Sequence, residues 1–227
     1  MMNSLPAACL TGKDRAHLSA FNERHALHHA ALPAFLALQQ AAARSGFNLQ
    51  PASSFRDFSR QQLIWNSKYH GQRRVHDDAG NSVDVLQLAP LERCRKILRW
   101  SALPGASRHH WGTEIDVYDP DALPAGTALQ LEPWEYQPGG YFSELSAWLD
   151  EHLAHYDFCR PFLHDHGGVA AEPWHISYHP VAEKLAEQLT PALLLEAWEH
   201  EEIAGSDTLQ AHLPALFRRY VQNLPGM

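Results

Sequence analysis

Residues 107–116 read Ser-Arg-His-His-Trp-Gly-Thr-Glu-Ile-Asp, and residues 172–175 read Glu-Pro-Trp-His. An imidazole and a carboxylate from the first segment, joined by the imidazole of the second, leave the fourth position of a tetrahedral zinc site open to water. A glutamate that stays off the metal, three residues before the last histidine, could take a proton from that water during attack on a carbonyl. The two segments together read as a zinc site with its own base, which is the chemistry of a hydrolase.

No single histidine pair carries this reading. The chain has 16 histidines, so some pairs at ligand-like spacing arise by chance; His28-His29, His109-His110 and His164-Asp165-His166 prove nothing alone, and most histidines are partly buried structural residues. The weight rests on the conjunction of a histidine and an aspartate, separated by a short loop and strand, with a distant Glu-x-x-His.

Composition bounds what such a site could serve. The 227 residues, 45% of them hydrophobic, suffice for one large domain or a domain with an extension. A formal charge of -8, with no run of Lys and Arg, excludes a phosphate-binding surface and makes nucleic acid an unsuitable partner. No stretch approaches the ~18 consecutive apolar residues of a membrane span. Residues 1–10 lack the basic and apolar regions of a secretory signal, so the sequence as it stands is expected to be soluble and cytoplasmic. Cys9, Cys94 and Cys159 are scattered and odd in number, which reads as idle or buried thiols and not as a disulfide framework or a metal pair.

The elements that must position the site follow from periodicity. Leu32, Phe35, Leu36 and Leu38 recur at near-helical spacing in a helix that ends at Ser45-Gly46. Residues 47–56 read as extended, and Asp57 or Ser59 caps a helix through Gln62, Leu63, Ile64 and Trp65, which places Arg56 at a strand-to-helix junction. Residues 71–83 form a surface loop or hairpin turning at Ala79-Gly80-Asn81, and residues 90–100 resume a helix. Residues 112–118 alternate as a half-buried strand, with Glu114 and Asp116 on one face. A long loop over 121–140 precedes an amphipathic helix over 141–155; residues 175–178 are a second core strand, and 181–189, 191–200 and 208–223 are packing helices.

At these residues the chain resembles the VanY-type zinc D-Ala-D-Ala carboxypeptidases of the wider LAS peptidase group (peptidase family M15). Ser53-Ser54-Phe55-Arg56 followed by Gln61 is similar to the family's Ser-x-x-Arg-x-x-x-x-Gln. Residues 107–116 are similar to its Ser-x-His-x-x-Gly-x-Ala-x-Asp, and residues 172–175 to its Glu-x-x-His. Their order agrees, and they span the central half of the chain.

The resemblance implies that His109, Asp116 and His175 bind one zinc ion per chain and that Glu172 is the general base. It implies that Arg56 binds substrate and steadies the oxyanion, a use suited to a permanently charged fork of donors. Ser107 and Gln61 are candidates for hydrogen bonds to the peptide, whereas Ser53 is read as shaping the turn. His110 competes with His109 as ligand, and spacing to Gly112 and Asp116 favours His109. Trp111 and Trp174 could wall a peptide cleft or serve as core residues, and Tyr178 and His179 could reach the site. One position departs from the pattern: Glu114 stands where the family has Ala, and support of a metal ligand from behind, a contact to a substrate amine, or a surface pair with Arg108 are its three readings.

The expectation is an α+β fold with a small, mostly antiparallel sheet that carries the zinc site and is flanked by helices. A peptidase domain with an N-terminal helical region occupies 1–190, and a helical extension at 191–227 packs on it. The expected activity is zinc-dependent hydrolysis of peptidoglycan stem peptides, foremost as a D-alanyl-D-alanine carboxypeptidase. A peptidoglycan endopeptidase cutting an L-Ala-D-Glu bond or a cross-bridge is the first alternative, and a non-catalytic zinc or peptide-binding module the second. The expected partner is a peptidoglycan-derived peptide, with no nucleic acid and no membrane span. The resemblance adds the periplasm or cell envelope as a second possible compartment.

Overall fold

The computed structural model describes residues 5–223; the first four residues of the N-terminal segment read above lie outside them. The chain begins with α1 (Ala7–Leu10), a ribbon of β1 (Leu18–Ala20) and β2 (Ala26–His28), and α2 (Ala31–Arg44). Then follow β3 (Gln50–Ser53), α3 (Phe58–Tyr69), α4 (Pro90–Leu98), β4 (Glu114–Tyr118), α5 (Pro133–Tyr136) and α6 (Ser143–His152). The last part comprises β5 (Phe158–Cys159), β6 (His175–Tyr178), α7 (His179–Gln188), α8 (Pro191–Trp198) and α9 (Ser206–Tyr220). This is an α+β fold, as the periodicity indicates. Among the described residues no helix is long and apolar enough to cross a membrane.

The four-stranded sheet has the order β3-β4-β6-β5 and is antiparallel throughout. Pairing of β4 with β6 sets Glu114 opposite Ser177, Ile115 opposite Ile176 and Asp116 opposite His175. Successive side chains on a strand point to opposite faces. Ile115, Val117 and Ile176 are therefore buried against Phe35 and Leu38 of α2 and Phe142 and Leu149 of the α6 region. Glu114, Asp116, His175 and Ser177 lie on the other face, and all four are buried polar groups. Beyond that face is a second core of Trp65, Ile97, Leu98, Leu185, Leu194, Leu213 and Phe217, from α3, α4 and α7 to α9.

Short elements escaped the pattern. The ribbon strands have three residues each and β5 has two, too few for alternation to register. The one-turn α5 within residues 121–140 is marked by Pro133 at its start and a reciprocal bond between Glu132 and Glu135. Residues 71–83 do turn back as a hairpin: His76 bridges to Ser82, and the Asp77 carboxylate accepts from the backbone N–H groups of Ala79 and Asn81.

Candidate metal centre and active site

His109 sits in a 3-10 turn, Arg108–Trp111, that ends on Gly112 in the left-handed region at φ 67°. A Cβ on Gly112 would meet the backbone nitrogen of His28 at 2.7 Å, so glycine is required where the turn hands over to β4. The His109 Nδ1–H donates to the Ser54 carbonyl at 2.8 Å, which leaves the Nε2 lone pair free, 3.4 Å from Asp116 Oδ2. His175 is oriented the opposite way round. Its Nε2–H donates to Glu114 Oε2 at 2.7 Å, and its Nδ1 lies 3.2 Å from Asp116 Oδ1.

One ligand atom from each of His109, Asp116 and His175 fits within 4.8 Å of the other two. Among the described residues, Asp116 Oδ1 and His175 Nδ1 are buried without a hydrogen-bond partner. Buried polar atoms are rarely left so. A divalent cation would satisfy both, and two neutral imidazoles with a carboxylate form a donor set that suits zinc. The residues present therefore fit the metal.

The electrostatics set the charge of each ligand candidate. Burial alone would raise the Asp116 carboxyl, but His109 and His175 outweigh it and hold Asp116 well below the usual carboxylate range. Burial lowers His109. Burial opposes the charged form of His175, yet Asp116 and Glu114 raise it to about 9, so without a cation this ring keeps its proton at neutral pH and a metal would have to displace it from Nδ1. Glu172 stands apart from the ligand set: its Oε2 is 3.7 Å from His175 Nδ1, and burial pushes it up to about 7. A carboxylate tuned towards neutrality can both accept and return a proton.

Arg56 is held by its backbone and by its guanidinium. Its backbone N–H donates to the His109 carbonyl at 3.1 Å, and its own carbonyl accepts from His110 Nδ1 at 2.6 Å. The guanidinium donates to Gln61 Oε1 at 2.9 Å and to Ser53 Oγ at 3.2 Å. Ser53 thus anchors the arginine. Gln61 differs from the sequence expectation: it is fully buried, and its amide donates to the Ala102 carbonyl at 2.7 Å, so it braces Arg56 and has no surface left for a peptide. His110 also settles. Its second nitrogen accepts from the Gly105 N–H at 3.1 Å, which commits both ring nitrogens to backbone and leaves His109 as the ligand candidate.

A cavity of about 290 Å³ opens over these groups, lined by Arg56, Ser107, His109, Asp116, Glu172 and His175. Trp111 and Trp174 are among its lining residues, but they are 2% and 5% exposed and serve chiefly as core. The Phe162 ring packs against the His175 ring at 4.9 Å. Glu114 does not line the cavity. It is buried behind His175, paired with Arg108 at 3.1 Å, so it neither reaches a substrate amine nor lies in a surface pair.

Two cations on the cavity wall were missed by the sequence reading. Lys68 Nζ donates to Ser101 Oγ at 2.7 Å, and Arg73 stands at the rim beside it. Burial, then Arg73, lowers Lys68 to about 8. The signal was available: Gln61, Ile64 and Lys68 fall on one stripe of α3 at helical spacing, so a lysine was turned inward with the residues that brace Arg56.

Against this geometry the comparisons are specific. The family model described as VanY, D-alanyl-D-alanine carboxypeptidase, matches residues 24–181. The chain belongs to the VanY family. Among solved structures it is similar to VanYB in complex with D-alanine-D-alanine, with a TM-score of 0.55 and 22% identity over 88% of this chain and 94% of that one. A VanY D,D-pentapeptidase mutant in complex with Zn(II) gives a TM-score of 0.53 and 20% identity, covering 92% of this chain and 95% of the other. These likenesses establish the fold. In sequence the chain is similar to an uncharacterised protein of Haemophilus influenzae, 53% identical over 52% of this chain and 92% of that protein.

Proposed function

We propose that the protein is a zinc-dependent D-alanyl-D-alanine carboxypeptidase that trims peptidoglycan stem peptides. His109 Nε2, Asp116 and His175 Nδ1 would hold the zinc, which supplies a Lewis acid that polarises a carbonyl and acidifies water. Glu172, beside the ligands but outside their set, takes the proton of the attacking water and returns it to the departing amine. Arg56, fixed by Gln61 and Ser53, directs its guanidinium to the carbonyl oxygen as negative charge develops there.

One observation supports removal of a terminal residue. Lys68 and Arg73 line the same small cavity as Glu172 and His175. Two cations on the wall of a site suit a free carboxylate, which a C-terminal D-alanine offers next to the scissile bond. Family membership and the fold shared with VanYB support the same reading.

The test is product identification. Purified zinc-loaded protein incubated with pentapeptide muropeptides should release free D-alanine and leave tetrapeptides in the mass spectrum. A chelator should stop the reaction and zinc restore it. Internal fragments would establish an endopeptidase instead, and tight peptide binding without any cleavage would establish a recognition module.

A further inference from the structure

Glu114 occupies the position where the family pattern has Ala, and its surroundings give it a defined task. Residues two apart on a strand are about 7 Å apart on one face, a span that an imidazole ring can bridge. His175 does so: Asp116 faces its Nδ1 at 3.2 Å and Glu114 its Nε2 at 2.7 Å. The second oxygen of Glu114 is held by three donors. Arg108 Nη2 lies at 3.1 Å, Ser177 Oγ at 2.8 Å and Thr113 Oγ1 at 3.0 Å. Arg108 also donates to Ser177 Oγ at 3.0 Å, closing the ring of contacts, and its guanidinium packs over Trp111.

Resting on the reading that His175 is a zinc ligand, we propose that Glu114 is a positioning residue whose carboxylate, anchored by Arg108, Ser177 and Thr113, fixes the His175 ring with Nδ1 towards the metal. A ligating imidazole that donates its other N–H to a carboxylate is locked in tautomer and rotation and becomes a stronger donor. His109 receives only a backbone carbonyl on its second nitrogen, so the two imidazoles are unequal and His175 is the stronger ligand. Arg108 neutralises Glu114 at 3.1 Å, so the extra carboxylate strengthens one ligand without adding net negative charge beside the cavity. Neither residue needs to touch substrate.

The experiment strips the full-length protein of metal and measures zinc affinity by competition with a chromophoric chelator. Glu114→Gln keeps an acceptor for Nε2–H and removes the charge; the double variant Arg108→Met with Glu114→Ala removes both charges of the pair. Zinc should bind about 10-fold more weakly in the first and 10- to 100-fold more weakly in the second, with circular dichroism unchanged. The Nε2 proton of His175 in the zinc-loaded protein, read by NMR, should shift upfield in Glu114→Gln, a change that a purely structural role would not produce. Affinities within twofold of wild type in both folded variants, with that resonance unmoved, overturn the proposal. Failure of the wild type itself to bind zinc overturns the metal reading first and is distinguished by that control.

Discussion

Gln61 holds Arg56 from inside the protein. Its Oε1 accepts from the guanidinium at 2.9 Å while its amide nitrogen is tied to the Ala102 carbonyl at 2.7 Å, and no part of the glutamine is exposed. Replacing it with leucine keeps the volume, frees Arg56 and leaves the Ala102 carbonyl unpaired. Loss of the buried bonds should cost about 1–3 kcal/mol of stability. Misplacing Arg56 should lower kcat/KM by about 100-fold, with zinc affinity unchanged. A melt and a metal titration beside the kinetic assay separate the two effects, and unchanged kcat/KM would show that Arg56 is held without its glutamine.

His109 and His110 are neighbours with opposite fates. Both nitrogens of His110 are used by the backbone, Nδ1 donating to the Arg56 carbonyl and Nε2 accepting from Gly105 N–H. Burial lowers His110 to about 3 from an ordinary 6.5. The folded state thus resists a proton that the unfolded chain accepts, so this contribution is complete above pH 6.5 and falls by up to about 1.4 kcal/mol per pH unit on acidification towards pH 3. His110→Gln should bind zinc yet lose part of this acid dependence in its melting temperature. His109→Gln should lose the metal. Equal zinc affinity in the two variants would contradict the division.

Lys68 should discriminate chain ends. The variant Lys68→Met preserves length and apolar volume but removes the charge that faces the cavity. A charge-assisted bond is worth about 1.5–3 kcal/mol, so kcat/KM for a peptide with a free terminal carboxylate should fall about 10- to 150-fold, mainly through KM. The C-terminal amide of the same peptide should lose little. Because Lys68 is lowered to about 8 by burial and Arg73, the preference of the wild type for the free acid should fade as pH rises through 8. An equal loss on acid and amide would remove Lys68 from carboxylate binding.

What the sequence could tell depended on how far apart the deciding residues lie. Asp57 as a cap, Arg56 at the junction and Glu114 on the face of Asp116 follow from windows of a few residues, where hydrogen-bond chemistry and strand alternation act locally. Indeed Asp57 accepts from the Arg60 N–H at 2.7 Å. Alternation names a face but not what stands opposite it, so Glu114 stayed open until the pairing of β4 with β6 placed His175 beyond Asp116. Phe162 against His175, and the cavity shared by Lys68 and Glu172, depend on contacts across a hundred residues or about a dozen. No local period encodes them.

Glu172 offers the last test because its proposed work is to carry a proton and nothing else. It lies 3.7 Å from His175 Nδ1, and its buried carboxyl is raised to about 7. Only the ionised form can accept a proton, so kcat/KM should rise about tenfold per pH unit on the acid side and level off above the pKa of the group. A cation held by Asp116 and the two imidazoles favours the ionised form, which sets the acid limb at or below pH 7. Glu172→Gln matches the shape, removes the base and should lower kcat by about 100- to 10,000-fold while zinc still binds. It should also abolish the acid limb of whatever activity is left. An unaltered pH profile in that variant would assign the proton to another group, and retained turnover would dismiss Glu172 as the base.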